Sequence, residues 1–306
     1  MTKAQFDRKP DWLKVRAPGG PRYAHIKERR ESLGLATVCE EARCPNMGEC
    51  WGHGTATFMV LGPICTRGCR FCAVTTKKQG LPIDPQEPTK LADTVASMGL
   101  DYVVLTMVDR DDLDDGGADH VAACVEAINQ ARPQVRVEVL TGDFGGDREA
   151  IERVANSGAA VMAHNIETVR SLTNKVRDGR CGYDQSLDVL RLFDALAAPS
   201  TPIKSSIMVG LGETDEEVLE TLTDLRAAHC TVVTIGQYLR PSAKHLPVVE
   251  YIHPEQFRRW EERALEMGFD ACFSGPLVRS SYRAAEVFLA QKTGVGTARS
   301  RLPVLG

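Results

Sequence analysis

No run of 18 apolar residues occurs in the chain, which excludes a membrane-spanning helix of ordinary length. There is no internal repeat and no low-complexity tract, so solenoid and array architectures are set aside. Charge of one sign is not in excess: 37 Lys and Arg face 41 Asp and Glu, a formal net of −4. That balance provides no basic footprint for nucleic acid, and neither nucleic acid nor membrane is expected as a partner. The opening residues, Met1 to Asp7, have neither the basic start nor the apolar core of a secretory signal. A cytosolic, cytoplasmic location is therefore expected, though a processed organellar protein would look the same.

Cysteine, by contrast, is plentiful, at ten in 306 residues. Disulfides are rare in a reducing compartment, which leaves metal ligands, catalytic thiols and inert buried thiols. Six of the ten crowd into residues 39–72, and that crowding favours metal. Cys124, Cys181, Cys230 and Cys272 are dispersed and read as small buried apolar residues.

Residues 1–30 carry nine Lys and Arg against three acids, a local net of 9 − 3 = +6. Pro10, Pro18, Gly19, Gly20 and Pro21 interrupt any regular element there, so an extended arm is expected, then a short helix over 23–33. The arm reads either as a solvated tail or as a surface for an acidic protein. Further on, apolar strand-like runs at 57–61, 102–106, 135–140, 160–163, 203–209 and 232–235 alternate with helical periods. The helices are expected at 91–98, 118–131, 147–156, 183–196, 215–228 and 254–267, with a last short strand at 269–273. Thr214 and Glu217 form a capping-box pattern at the start of one of them. Such alternation implies parallel strands with right-handed crossovers, and six units suggest an open, partial (β/α) barrel.

Two cysteine clusters carry the chemistry. Cys65-Thr66-Arg67-Gly68-Cys69-Arg70-Phe71-Cys72 is C-x3-C-x2-C, directly after the first expected strand. Zinc usually takes paired C-x2-C units and four ligands, whereas three thiolates on a cubane [4Fe–4S] cluster leave one iron open. Cys39, Cys44 and Cys50 form C-x4-C-x5-C upstream. They read as ligands of a second iron–sulfur cluster, or as a zinc knuckle if His53 completes a Cys3His set.

The C-x3-C-x2-C motif, with an aromatic before its last cysteine, resembles the radical S-adenosylmethionine (SAM) superfamily. The upstream C-x4-C-x5-C, together with Arg279-Ser280-Ser281-Tyr282, resembles the lipoyl synthase family within it. The stretches after the second, fourth, fifth and sixth strands agree, with Ser206 in place of an expected glycine and Met107 in place of a common serine. The resemblance covers residues 10–290. It implies a partial (β/α)6 radical SAM barrel over 55–275. An N-terminal auxiliary-cluster extension would occupy 1–54 and a short C-terminal extension 276–306.

The resemblance further implies two [4Fe–4S] clusters and SAM. One cluster would sit on Cys65, Cys69 and Cys72. The other, on Cys39, Cys44, Cys50 and Ser281, would donate sulfur. Ser281 alone would read as a helix cap. Asn165 and Glu167, at a strand end, are expected to bind SAM, the competing reading being a cap and a surface acid. Asp109, Asp111, Asp112, Asp114 and Asp115 are expected to be a solvated acidic loop, and His164 a satisfied near-core histidine. The implied activity is a sulfurtransferase reaction: insertion of two sulfur atoms at C6 and C8 of a protein-bound octanoyl-lysine. Implied partners are octanoylated lipoyl carrier domains (2-oxoacid dehydrogenase E2 subunits and the glycine cleavage H protein) and a flavodoxin or ferredoxin reductant. A monomer is expected. The rivals are a biotin synthase-like sulfur-inserting enzyme, a tRNA methylthiotransferase and a non-catalytic iron–sulfur carrier. The first lacks the upstream motif, the second needs a basic RNA-binding domain, and the third has no use for a barrel.

Overall fold

The computed structural model describes residues 55–281, together with 9–14 and the single positions 19, 24 and 28. Cys39, Cys44, Cys50 and most of the helix expected over 23–33 lie outside them; Ala24 and Glu28 are helical and exposed.

The expected alternation is present. In chain order the elements are β1 (Thr55–Val60), β2 (Ile64–Cys65), β3 (Thr75–Thr76), α1 (Glu87–Met98), β4 (Tyr102–Met107), α2 (Ala118–Ala131) and β5 (Arg136–Thr141). Then follow α3 (Arg148–Ala155), β6 (Val161–His164), α4 (Thr173–Val176), α5 (Tyr183–Leu196), β7 (Ile203–Val209), α6 (Asp215–Ala227), β8 (Val232–Gln237), α7 (Pro254–Glu266) and β9 (Ala271–Gly275). β1 and β4 to β9 form one seven-stranded sheet in sequential order, every pairing parallel. Among the described residues β1 and β9 do not pair with each other, so the barrel stays open.

Helix boundaries follow local chemistry. α1 begins four residues before the periodic pattern because Glu87 favours the positive helix start and Pro88 is preorganised for the first turn. In α6 the capping box forms in full: Glu217 N donates to Thr214 Oγ1 at 3.3 Å, and Thr214 N to Glu217 Oε2 at 2.8 Å. The tiny β2–β3 pair and the one-turn α4 carried no periodic signal.

One large apolar core fills the space between the sheet and its helices, with Phe58, Phe193, Ile151 and Phe257 fully buried. Inside the arc, near the N-terminal ends of the strands, the filling is polar. Lys204 Nζ lies 2.8 Å from Glu138 Oε1, and Tyr102 OH donates to Glu138 Oε2 at 2.8 Å. Burial, with Glu138 beside it, raises the Tyr102 phenol well above its ordinary value. Buried charges persist only when paired and hydrogen-bonded in this way. The C-terminal ends of the strands are the face where barrel enzymes build sites.

Part of the basic arm is tied down rather than extended. Asp11–Leu13 form a 3-10 turn, Leu13 is buried, and Trp12 meets His253 at the start of α7 edge-on at 5.3 Å.

Candidate metal centre

The cysteine loop leaves the C-terminal end of β1 through a sharp turn, with Leu61 at φ 69° and Gly62 at φ 83°. Loops from three other strands then grip it. After β4, Asp109 O accepts from Thr66 N at 2.8 Å, and Asp111 Oδ2 from Thr66 Oγ1 at 2.7 Å. After β6, Asp178 Oδ2 accepts from Gly68 N at 2.7 Å, and Val176 O from Arg70 N at 2.9 Å. After β8, His245 Nε2 meets Cys72 O at 2.9 Å.

Cys65, Cys69 and Cys72 are half-buried on this loop. Burial, then Asp109, pushes the Cys65 thiol up to about 11. Cys69 is raised first by its hydrogen bond with Cys181 and then by burial, and Cys72 by burial. Without metal these thiols stay protonated; metal coordination deprotonates such groups outright. The donor set fits a cluster better than a single ion. The loop offers three thiols in C-x3-C-x2-C spacing, which suits a [4Fe–4S] cluster with one open iron, whereas zinc usually takes paired C-x2-C units and four ligands. Arg67 N donates to Cys65 Sγ at 3.4 Å and Asp178 N to Cys69 Sγ at 3.3 Å. Hydrogen bonds of this kind to cluster sulfurs set reduction potential.

Arg67, between the first two cysteines, is almost wholly buried, and its guanidinium gathers three carboxylates. Nη1 lies 2.6 Å from Asp143 Oδ1, Nη2 2.7 Å from Asp111 Oδ1, and Nη1 3.6 Å from Asp109 Oδ1. The solvated-loop expectation is thus corrected for Asp109, and also for Asp112, which pairs with Arg110 at 2.8 Å, whereas Asp111, though paired, and Asp114 are exposed as expected. Burial, partly offset by Arg67, raises Asp109 to about 6. Cys181 is corrected too. It is buried, but it accepts from Arg67 Nη1 at 3.5 Å and its thiol acts on that of Cys69, so it belongs to the surroundings of the centre. Arg67 could have been noticed from its place inside the motif. Nothing in the sequence around Asp143 or Cys181 pointed to them. Cys124, Cys230 and Cys272 are buried.

Asn165 and Glu167 follow β6 and come together, Asn165 Nδ2 donating to Glu167 Oε1 at 3.0 Å. Glu167 holds φ 68°, a left-handed conformation that is costly for a residue with a Cβ. Two backbone bonds to β7 enforce it: Glu167 N to Ser206 O at 3.0 Å and Met208 N to Glu167 O at 2.9 Å. Burial raises the Glu167 carboxyl, with Arg177 and Asn165 opposing. Its charge in turn raises the Cys69 and Cys72 thiols. Behind it, His164 is bonded to Thr141 O at 3.0 Å and Ser186 Oγ at 2.9 Å, the satisfied histidine expected.

Ser281 is half-buried in a turn beyond β9. That segment folds back over the end of β8: Arg279 Nη1 donates to Gln237 O at 3.3 Å, and a Cβ on Gly236 would collide with the Val278 carbonyl.

Comparisons with known proteins agree with this geometry. Residues 59–225 match the model of the radical SAM superfamily, and residues 1–44 that of the N-terminal domain of lipoyl synthase. The lipoyl synthase of Sorangium cellulosum is 56% identical over 299 residues, covering 94% of this chain and 80% of the relative. That of Anaeromyxobacter sp. is 57% identical over 282 residues, 92% of this chain and 95% of the relative. The mitochondrial lipoyl synthase of Aedes aegypti is 54% identical over 287 residues, 92% and 73%. Among solved structures, the FeFe-hydrogenase maturase HydG from Carboxydothermus hydrogenoformans superposes with TM-score 0.55 at 13% identity, covering 78% of this chain and 66% of that one. SuiB of Streptococcus suis bound to SAM superposes with TM-score 0.53 at 10% identity, covering 79% and 57%. These two show the fold alone. The superfamily match brings one [4Fe–4S] cluster and SAM with it. By both family matches and by relatives this similar over most of its length, the chain belongs to the lipoyl synthase family of the radical SAM superfamily.

Proposed function

We propose that this protein inserts two sulfur atoms, at C6 and C8, into an octanoyl chain held in amide linkage on a lysine of a lipoyl carrier domain. At each carbon a C–H bond breaks, its hydrogen leaving in 5′-deoxyadenosine. A C–S bond then forms to a sulfide of an auxiliary [4Fe–4S] cluster, a consumed substrate that takes up one electron at iron. These carbons are unactivated, so no general base can deprotonate them. When bound at Cys65, Cys69 and Cys72, the resident cluster supplies one electron to the SAM sulfonium, yielding methionine and the 5′-deoxyadenosyl radical.

The chain's own residues position and shield this chemistry. Glu167 and Asn165 hold SAM, the carboxylate accepting from its amino group or ribose hydroxyls. Arg67 and its carboxylates fix the loop that presents the three sulfurs. Cys39, Cys44, Cys50 and Ser281 hold the auxiliary cluster, and Ser281, a hard oxygen ligand among soft thiolates, departs as that cluster is dismantled. The basic arm of residues 1–30 docks acidic carrier domains, among them E2 subunits and the H protein. A flavodoxin or ferredoxin supplies electrons, and the protein works as a cytosolic monomer.

The observation that carries this reading is the three-thiol loop at the end of β1, in a chain 52–57% identical to named lipoyl synthases. The test is an anaerobic single turnover with SAM, reductant and an octanoyl-lysine peptide, followed by mass spectrometry. The expected result is a gain of two sulfurs with two 5′-deoxyadenosines. 5′-Deoxyadenosine without sulfur transfer would overturn the substrate, and full turnover in Ser281→Cys would overturn the departing-ligand role.

A further inference from the structure

One cluster of ligating side chains lies outside the centre just described. His120 and Cys124 are one turn apart on α2, so they share a face. Glu87, the first residue of α1, meets that face, its Oε2 2.6 Å from His120 Nε2. One imidazole nitrogen, one thiol and one carboxylate oxygen all lie within 4.8 Å of one another. The Cys124 side chain is fully buried, and those of His120 and Glu87 are 9% and 17% exposed. Leu61 N donates to Glu87 Oε2 at 3.1 Å. A backbone donor on a carboxylate is how proteins commonly aim a metal ligand.

We propose that Glu87, His120 and Cys124 form a site for a divalent cation of borderline softness, with Zn2+ the best match. Thiolate, imidazole and carboxylate are the three donor types zinc takes, with water completing the tetrahedron. Thiolate and carboxylate together balance the dication, so the filled site is neutral, as its burial requires. Small rotamer changes suffice, since ligand atoms around zinc, at bonds of about 2.0–2.3 Å, stand roughly 3.3–3.8 Å apart.

Burial, with Glu87 adding to it, raises the Cys124 thiol, so the metal-free site keeps the proton on sulfur. Binding forms a metal–sulfur bond and releases the thiol proton to solvent. The proton His120 Nε2 shares with Glu87 is exchanged through solvent for one on Nδ1, so the imidazole stays neutral and the His120–Glu87 hydrogen bond gives way to two metal bonds. The ion would clip α1 to α2 beside Leu61, where β1 passes into the cysteine loop.

The test uses the full-length protein with its iron–sulfur clusters loaded, so that their cysteines are occupied. It is dialysed against Zn2+, and zinc and iron are counted in the same sample. Zinc-edge X-ray absorption then reads the ligands. One zinc per chain with a single sulfur neighbour at about 2.3 Å is expected. Binding should be at least about tenfold weaker in Cys124→Ala at unchanged iron content. If Cys124→Ala loses iron, His120→Gln gives the same reading at a partly exposed position. Zinc without a sulfur neighbour, equal zinc in the variants, or none in the parent protein would leave a plain His–Glu hydrogen bond beside an inert thiol, and the proposal would fall.

Discussion

Replacing Arg67 by Ala should destabilise the protein by about 3–5 kcal/mol, the range for stranding a buried charge. The structure says which partner dominates. Asp143 has a side chain 0% exposed and receives only Arg67 and the Gly145 amide, at 2.6 and 2.9 Å. Asp111 is 27% exposed and keeps Thr66 and Arg180 as partners, so water and neighbours absorb much of its loss. For a chain of this size each kcal/mol moves the melting temperature by about 2–3 °C, so a drop on the order of 10 °C is expected. The assay is thermal and denaturant unfolding of metal-free, reduced protein. Asp143→Ala and the double variant complete a cycle. Removing both partners leaves no charge stranded at the Asp143 position, so the double variant should lose less than the sum of the singles. Additive losses, or an Arg67→Ala loss below about 0.5 kcal/mol, the level of an ordinary surface substitution, would refute the clamp. Iron uptake by Arg67→Ala should fall in parallel, since the loop that presents the sulfurs loses its brace.

Burial and the nearby Arg177 push His164 down to about 4 from 6.5. The unfolded chain therefore binds the extra proton first: stability is full above pH 6.5, falls as pH drops towards 4 and levels below, a loss of up to about 3 kcal/mol. His164→Gln should flatten that part of the pH profile of urea unfolding; a profile parallel to the parent's would contradict it. Glu167→Gln should raise the SAM KM by roughly tenfold, the loss of one charge-assisted hydrogen bond, at unchanged iron content; an unchanged KM would remove Glu167 from SAM. Lys204→Met should cost about 3–5 kcal/mol and Lys204→Met with Glu138→Leu distinctly less, because a lone buried charge is worse than none. Equal denaturant midpoints for single and double variants would count against it.

Much of the fold was legible because its signals are local. α2 and α5 fall on the expected 118–131 and 183–196 because apolar spacing at 3.6 residues depends only on near neighbours. The α6 capping box is likewise a matter of four residues. β9 lies two residues later than expected, since a short buried run carries no period to mark its ends. β2, β3 and α4 were missed because contacts of the cysteine loop shape them, not propensity.

The sequence by itself determined the parallel α/β alternation, the three-thiol loop at the end of β1, and the family. Strand period, cysteine spacing and motif residues are all properties of adjacent positions. Only the tertiary structure decided what surrounds that loop. Arg67 finds Asp111 44 residues away, Asp143 76 away and Cys181 114 away. Glu167 is pressed into a left-handed conformation by β7, and Cys124 is set against Glu87 by the packing of α1 on α2. A parallel sheet lines up strand ends from distant parts of the chain. Charges and thiols carry no periodicity that would announce which of them will meet there.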